Sequence, residues 1–204
     1  MNYQIILYKM LEELKKDKTY KLLLHACCAP CSSYVIEYLS KYFEITIYYY
    51  NPNIYPETEY MRRMNELKHF IKLYPTKNKV SFIEEKYDPK EYYNSVKGLE
   101  NLGEKSKRCY NCYKFRMEKA AIFASSNNFD YFTTTLSISP YKISSWINEI
   151  GESLEKEYNI KYLYADFKKR NGYKRSLELS KEYNLYRQDY CGCVYSFKES
   201  NKIQ

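Results

Sequence analysis

An apolar run, Leu22-Leu23-Leu24, breaks off at His25-Ala26-Cys27-Cys28-Ala29-Pro30-Cys31, and comparable transitions recur along the chain. Short apolar or alternating stretches give way to longer ones whose apolar residues return every three to four positions, the periods of strand and helix. The strands predicted on this basis are Lys21–Ala26, Glu44–Tyr50, Lys79–Glu84, Asp130–Ser137 and Lys161–Asp166. The predicted helices are Asn2–Lys18, Ser33–Tyr42, Glu57–Leu73, Pro89–Leu99, Tyr113–Ser125, Ile143–Tyr158 and Lys174–Tyr183. Such alternation specifies an α/β protein with a parallel sheet and helices on both faces. In that architecture the loops leaving the carboxyl ends of the strands line the ligand crevice, and the thiols after Leu24 lie at such an end.

Local signals refine the picture. Ala29-Pro30 reads as a turn after the first strand, with Ser32 or Ser33 available to cap the next helix. Asn51-Pro52-Asn53-Ile54-Tyr55-Pro56 reads as a rigid turn, and Cys112 is expected to open a helix. The 204 residues suffice for one well-buried core, so residues 1–204 are expected to form a single α/β domain. Within it, residues 1–20 supply a packing helix and residues 100–125 a cysteine-bearing loop and helix.

All seven cysteines fall in three groups: Cys27, Cys28 and Cys31; Cys109 and Cys112; Cys191 and Cys193. Thiols serving only as small hydrophobes would be scattered, so the grouping indicates metal or redox chemistry. A CxxC at a helix start brings two sulfurs together where backbone N–H groups favour thiolates. A structural zinc uses the same ligands as a four-thiolate iron–sulfur cluster, and spacing alone does not choose between them. In Cys191-Gly192-Cys193 a disulfide would close a small strained ring, which favours a redox couple; completion of a metal centre is the alternative reading. The first turn lacks a glycine-rich phosphate cradle, which argues against nucleotide hydrolysis.

The formal net charge of +8 suits a polyanionic partner such as nucleic acid, although the lysines are dispersed over many helix faces. No run has the roughly 18 apolar residues of a membrane span, and the first twenty residues lack a continuous apolar centre. A cytoplasmic protein without a membrane partner is expected, and in that compartment CxxC and CxC groups bind metal or cycle more often than they form stable disulfides.

Five ordered stretches together resemble the QueH-type epoxyqueuosine reductases: Leu22–Ser33, Tyr50–Pro56, Arg108–Ala121, Phe132–Lys142 and Leu185–Ser196. The resemblance covers nearly all of the chain after Tyr20 and implies a Rossmann-like fold of the HUP type. It also implies an oxidoreductase that removes the epoxide oxygen of epoxyqueuosine at the tRNA wobble position to give queuosine. By the same similarity Cys27, Cys28, Cys109 and Cys112 would ligate a [4Fe–4S] cluster, with Cys191 and Cys193 as a redox-active pair. An additional mononuclear iron with Cys31 near it is part of this expectation, as is an electron donor that the sequence leaves unidentified. Tyr55 stands where the family often has histidine, so Tyr55, Asp189 and Tyr190 are the candidate proton donors. Arg62, Arg63, Lys105, Lys107, Arg108 and Arg116 are candidates for binding the anticodon loop, Arg108 foremost because it adjoins Cys109.

Overall fold

The computed structural model describes residues 1–15 and 17–201. In chain order its elements are helix α1 (Tyr3–Glu12), strand β1 (Tyr20–His25), α2 (Ala29–Leu39), β2 (Phe43–Tyr49), α3 (Glu57–Leu73), β3 (Val80–Glu84) and α4 (Pro89–Ser95). These are followed by α5 (Lys107–Ser126), β4 (Tyr131–Thr134), α6 (Ser144–Tyr158), β5 (Lys161–Tyr162), α7 (Gly172–Glu182) and α8 (Val194–Ser200). The five strands form one sheet in the order β3-β2-β1-β4-β5, every pairing parallel.

Register and pleat divide the core in two. Leu22 and Leu24 pair with Ile45 and Ile47 and point to one face, where Leu7 of α1, Val35 and Ile36 of α2, and Leu67 and Phe70 of α3 cover them. Leu23 and Phe132 pair and point the other way, against Met117 and Ala121 of α5 and Ile147 and Leu154 of α6. Strands buried on both faces account for the unbroken Leu22-Leu23-Leu24 run. Because β2 and β3 lie on one side of β1 and β4 and β5 on the other, strand order reverses between β1 and β4. That switch point opens a crevice at the carboxyl ends of these two strands.

Several boundaries differ from the sequence expectation, each for a local reason. α2 begins at Ala29 rather than Ser33, with Cys28 at its N-cap, because Pro30 sits in the first turn, where its missing N–H is harmless. Ser32 and Ser33 instead donate back to the carbonyls of Cys28 and Pro30. α5 likewise starts earlier than expected, so the CxxC lies within its first two turns. β4 stops at Thr134, whose hydroxyl accepts from Leu136 N and turns the chain into a 3-10 segment, Thr135–Ile138. β5 spans only two residues because the Asn148 side chain bonds both N–H and carbonyl of Ala165, drawing the chain away from β4. α4 ends at Ser95 and α1 at Glu12, the latter capped by the Asn2 carboxamide; Lys16, inside the expected first helix, lies outside the described residues. α8 was not anticipated.

Candidate thiol-lined active site

The crevice at the switch point holds a cavity of about 390 Å³. Cys27, Cys31, Cys109 and Cys191 line it, so all three cysteine groups reach it although they are far apart in sequence. Cys27 and Cys28 follow β1, and Cys28 and Cys31 occupy the N-cap and first turn of α2, whose unpaired N–H groups favour negative charge there. The sulfurs of Cys27, Cys28 and Cys31 lie within 4.8 Å of one another, with 3.7 Å between the first two. Cys31 is thus grouped with Cys27 and Cys28, while Cys109 approaches from α5 and Cys112 packs behind it against Cys193, Tyr92 and Val96.

The turn is held from beneath. His25 is buried, and burial together with the positive charge of Arg116 pushes it down to about 3, so the ring is neutral. Its Nε2–H donates to the Tyr50 carbonyl at 3.2 Å, and Nδ1 therefore accepts from the Thr134 hydroxyl at 2.8 Å. Asn51 donates to the Ala26 carbonyl and accepts from Arg116 Nη1, tying the turn after β2 to α5. Among the thiols, hydrogen bonds from Cys28 and Cys31 hold Cys27 well below the ordinary thiol range, whereas burial pushes Cys28 up to about 12.

The segment Gln188–Cys193 closes the other wall. Gln188 donates to Cys28 Sγ at 3.4 Å. Gly192 has φ +115°, a conformation that side chains rarely adopt, and its carbonyl accepts from Tyr55 N at 2.7 Å. Arg63 Nη1 donates to the Cys191 carbonyl while its Nε donates to Glu59, so α3 grips the loop between the last two thiols. Tyr55 is exposed, and Tyr190 donates to the Tyr55 carbonyl, with the Phe197 ring against both aromatic rings.

The arginines need correction. Arg63, Arg108 and Arg116 are only 1%, 2% and 2% exposed, so none presents a guanidinium to an incoming loop of RNA. Arg108 donates to the Glu100 carbonyl and stacks on Tyr195, bracing the loop before α5. Arg116 lies behind the thiols without a carboxylate among the described ion pairs. Arg62 is exposed but lies over the Tyr186 ring. The exposed cations at the cavity are Lys105 and Arg187, beside the exposed ring of Tyr141. Lys142, half-buried at the same wall, donates to Cys191 Sγ at 3.2 Å. A single lysine has no spacing signature, and this contact joins residues 49 positions apart, so residue patterning offers no means of finding it.

A family model described as epoxyqueuosine reductase QueH matches residues 22–199, a span that contains all seven cysteines. The chain belongs to the QueH family. It is 44% identical to the epoxyqueuosine reductase QueH of Streptococcus pyogenes over 97% of this chain and 79% of that one. Identity to the QueH proteins of Staphylococcus epidermidis and Thermotoga maritima is 40% and 35%, covering 99% and 87% of this chain and 90% and 91% of those proteins. The α/β fold and the cysteine-bearing carboxyl edge expected of a QueH protein are those observed. Among the described residues, no helix is long and apolar enough to cross a membrane.

Proposed function

We propose that this protein is an epoxyqueuosine reductase, removing the epoxide oxygen of epoxyqueuosine at the tRNA wobble position as water to leave queuosine. The observation that carries the reading is a charge mismatch at the cavity. Arg116 and Lys142 have no carboxylate partner among the described ion pairs, yet they adjoin a wall of thiols. Buried cations are stable only beside compensating negative charge, which thiolates or a thiolate-ligated metal centre provide.

The donor set fits an iron–sulfur centre: a sulfur-rich wall, three thiols already within ligand distance, and cations behind them. Cys27, Cys28, Cys109 and Cys112 would hold a [4Fe–4S] cluster, and Cys31 an additional mononuclear iron. Such a group would pass on electrons from the dithiol and, at an iron with an open position, would supply Lewis acidity toward oxygen. The chain's own residues admit one modified base into a cavity of about 390 Å³, at the small end of ligand sites. Tyr141 offers a stacking face for an unstacked base, and Lys105 and Arg187 meet phosphates, the interactions by which single-stranded RNA loops are held. Cys191 and Cys193 supply two electrons as their sulfurs join. The tRNA substrate and the cytoplasmic setting belong to this reading, and the electron donor is the reductant that restores the dithiol.

Cys191→Ser and Cys193→Ser each abolish conversion of epoxyqueuosine while iron and sulfide content stay at the wild-type level. Loss of iron in either variant would make that residue a metal ligand and overturn its assignment to the redox pair.

A further inference from the structure

We propose that Lys142 makes Cys191 the attacking thiolate of the Cys191/Cys193 pair and leaves Cys193 as the resolving thiol. The inference rests on the reading of that pair as a redox couple and specifies its polarity. The two sulfurs have opposite surroundings. Cys191 lines the cavity, and Lys142 Nζ donates to its sulfur at 3.2 Å while lying 5.4 Å from the centroid of the Tyr113 ring. Cys193 lies behind it, 7% exposed, packed on Tyr92, Val96 and Cys112, with Ser196 N donating to its sulfur at 3.4 Å. A reagent entering the cavity meets Cys191 first.

Charges of both signs face the cavity beside Cys191: Glu104, Asp189 and Glu199 line its wall, and the cations acting on the thiol are Lys142 and Arg116. Lys142 comes from the loop that follows β4 and Arg116 from α5, while Arg63 of α3 bonds the Cys191 backbone. Tyr113 of α5 also faces the site, pushed up chiefly by burial and so uncharged. A hydrogen bond from Cys193 and the Lys142 ammonium together hold Cys191 well below the ordinary thiol range, outweighing its burial. Burial would pull the Lys142 ammonium down, but Cys191 beside it holds it well above the ordinary lysine value.

The step balances. Joining the Cys191 thiolate to the Cys193 thiol forms one S–S bond and releases two electrons and one proton. Those electrons, that proton and one more from solvent break the epoxide C–O bonds and release the oxygen as water. An external two-electron reductant, such as a dithiol that becomes a disulfide, returns the pair to its starting form with one proton, and its second proton goes to solvent in place of the one taken for water.

The test is competitive alkylation of the anaerobically prepared, reduced holoprotein by iodoacetamide, read by fragment-ion mass spectrometry of the peptide carrying both cysteines. Cys191 is expected to react about tenfold or more ahead of Cys193 at neutral pH, because the thiolate is the nucleophile. Lys142→Met should slow Cys191 about tenfold at neutral pH, with the gap closing in alkali, where the thiol ionises unaided. Lys142→Arg keeps the charge and should retain most of the rate. Faster labelling of Cys193, or a Lys142→Met rate and pH profile equal to wild type, overturns the proposal. If Lys142→Met fails to fold, the wild-type order of labelling and the Lys142→Arg rate still decide it. Absence of a Cys191–Cys193 disulfide after mild oxidation of the wild type would defeat the redox-pair reading itself, a result distinct from a disulfide that forms without dependence on Lys142.

Discussion

At the scale of single residues, the site depends on side chains that hold the thiols in place as much as on the thiols. His25 is the clearest example: neutral and buried, it gives one hydrogen bond to the Tyr50 carbonyl and takes one from Thr134 directly below the Cys27 turn. His25→Leu preserves bulk but leaves a buried carbonyl and a buried hydroxyl proton unpaired, an expected loss of about 2–4 kcal/mol in urea denaturation. A smaller loss would mean that water or a rotated Thr134 replaces the ring. Gly192 makes a different contribution. A Cβ there would sit 2.8 Å from Arg63 Nη1 on a backbone that already favours glycine, so Gly192→Ala is expected to slow disulfide formation between Cys191 and Cys193. A disulfide forming at the wild-type rate in that variant would show that the loop tolerates the shift.

At the scale of elements, close approach of α6 to the sheet is set by one helical glycine. A Cβ at Gly151 would lie 2.3 Å from the Tyr162 ring, so Gly151→Ala should destabilise the fold by about 1–3 kcal/mol through overpacking. That sign opposes helix propensity, which alone would make alanine the better residue; a stabilised variant in thermal melts would refute the packing argument. On the other face, α7 docks on α2 through Arg175, whose Nε and Nη2 both donate to Glu37, with Tyr74 adding a third hydrogen bond. Partial burial pushes the Glu37 carboxyl up, but these donors outweigh it and its net displacement is downward. The unfolded chain therefore binds the proton first, and the contribution is present above the ordinary value of 4.5 and lost as pH falls through the lower folded value. Arg175→Met should lower stability by about 0.5–1 kcal/mol at neutral pH and by less in acid, since the pair is part-exposed. A pH-independent difference would assign the effect to packing of the arginine stem.

At the scale of the whole molecule, the architecture was legible because the sheet is buried on both faces, which turns β1 into an unbroken apolar run that ends where chemistry begins. The first cysteine group was legible for the same reason, since it follows β1 at the carboxyl edge of the sheet; the other two, in α5 and between α7 and α8, were joined to it only through the family resemblance. What patterning did not reveal depends on which way a side chain turns after folding. Arg63, Arg108 and Arg116 sit on amphipathic helices and look solvated in sequence, yet tertiary contacts draw them inside. Pro30 has two good uses, turn and first helical turn, and only the fold chooses between them. The central claim is that this assembly reduces epoxyqueuosine, and the most direct test uses tRNA carrying that nucleoside. Anaerobically prepared protein with a chemical reductant should convert it to queuosine, seen by nucleoside mass spectrometry as loss of one oxygen, and Cys191→Ser should not. Unchanged epoxyqueuosine with protein that retains its full iron and sulfide would contradict the account.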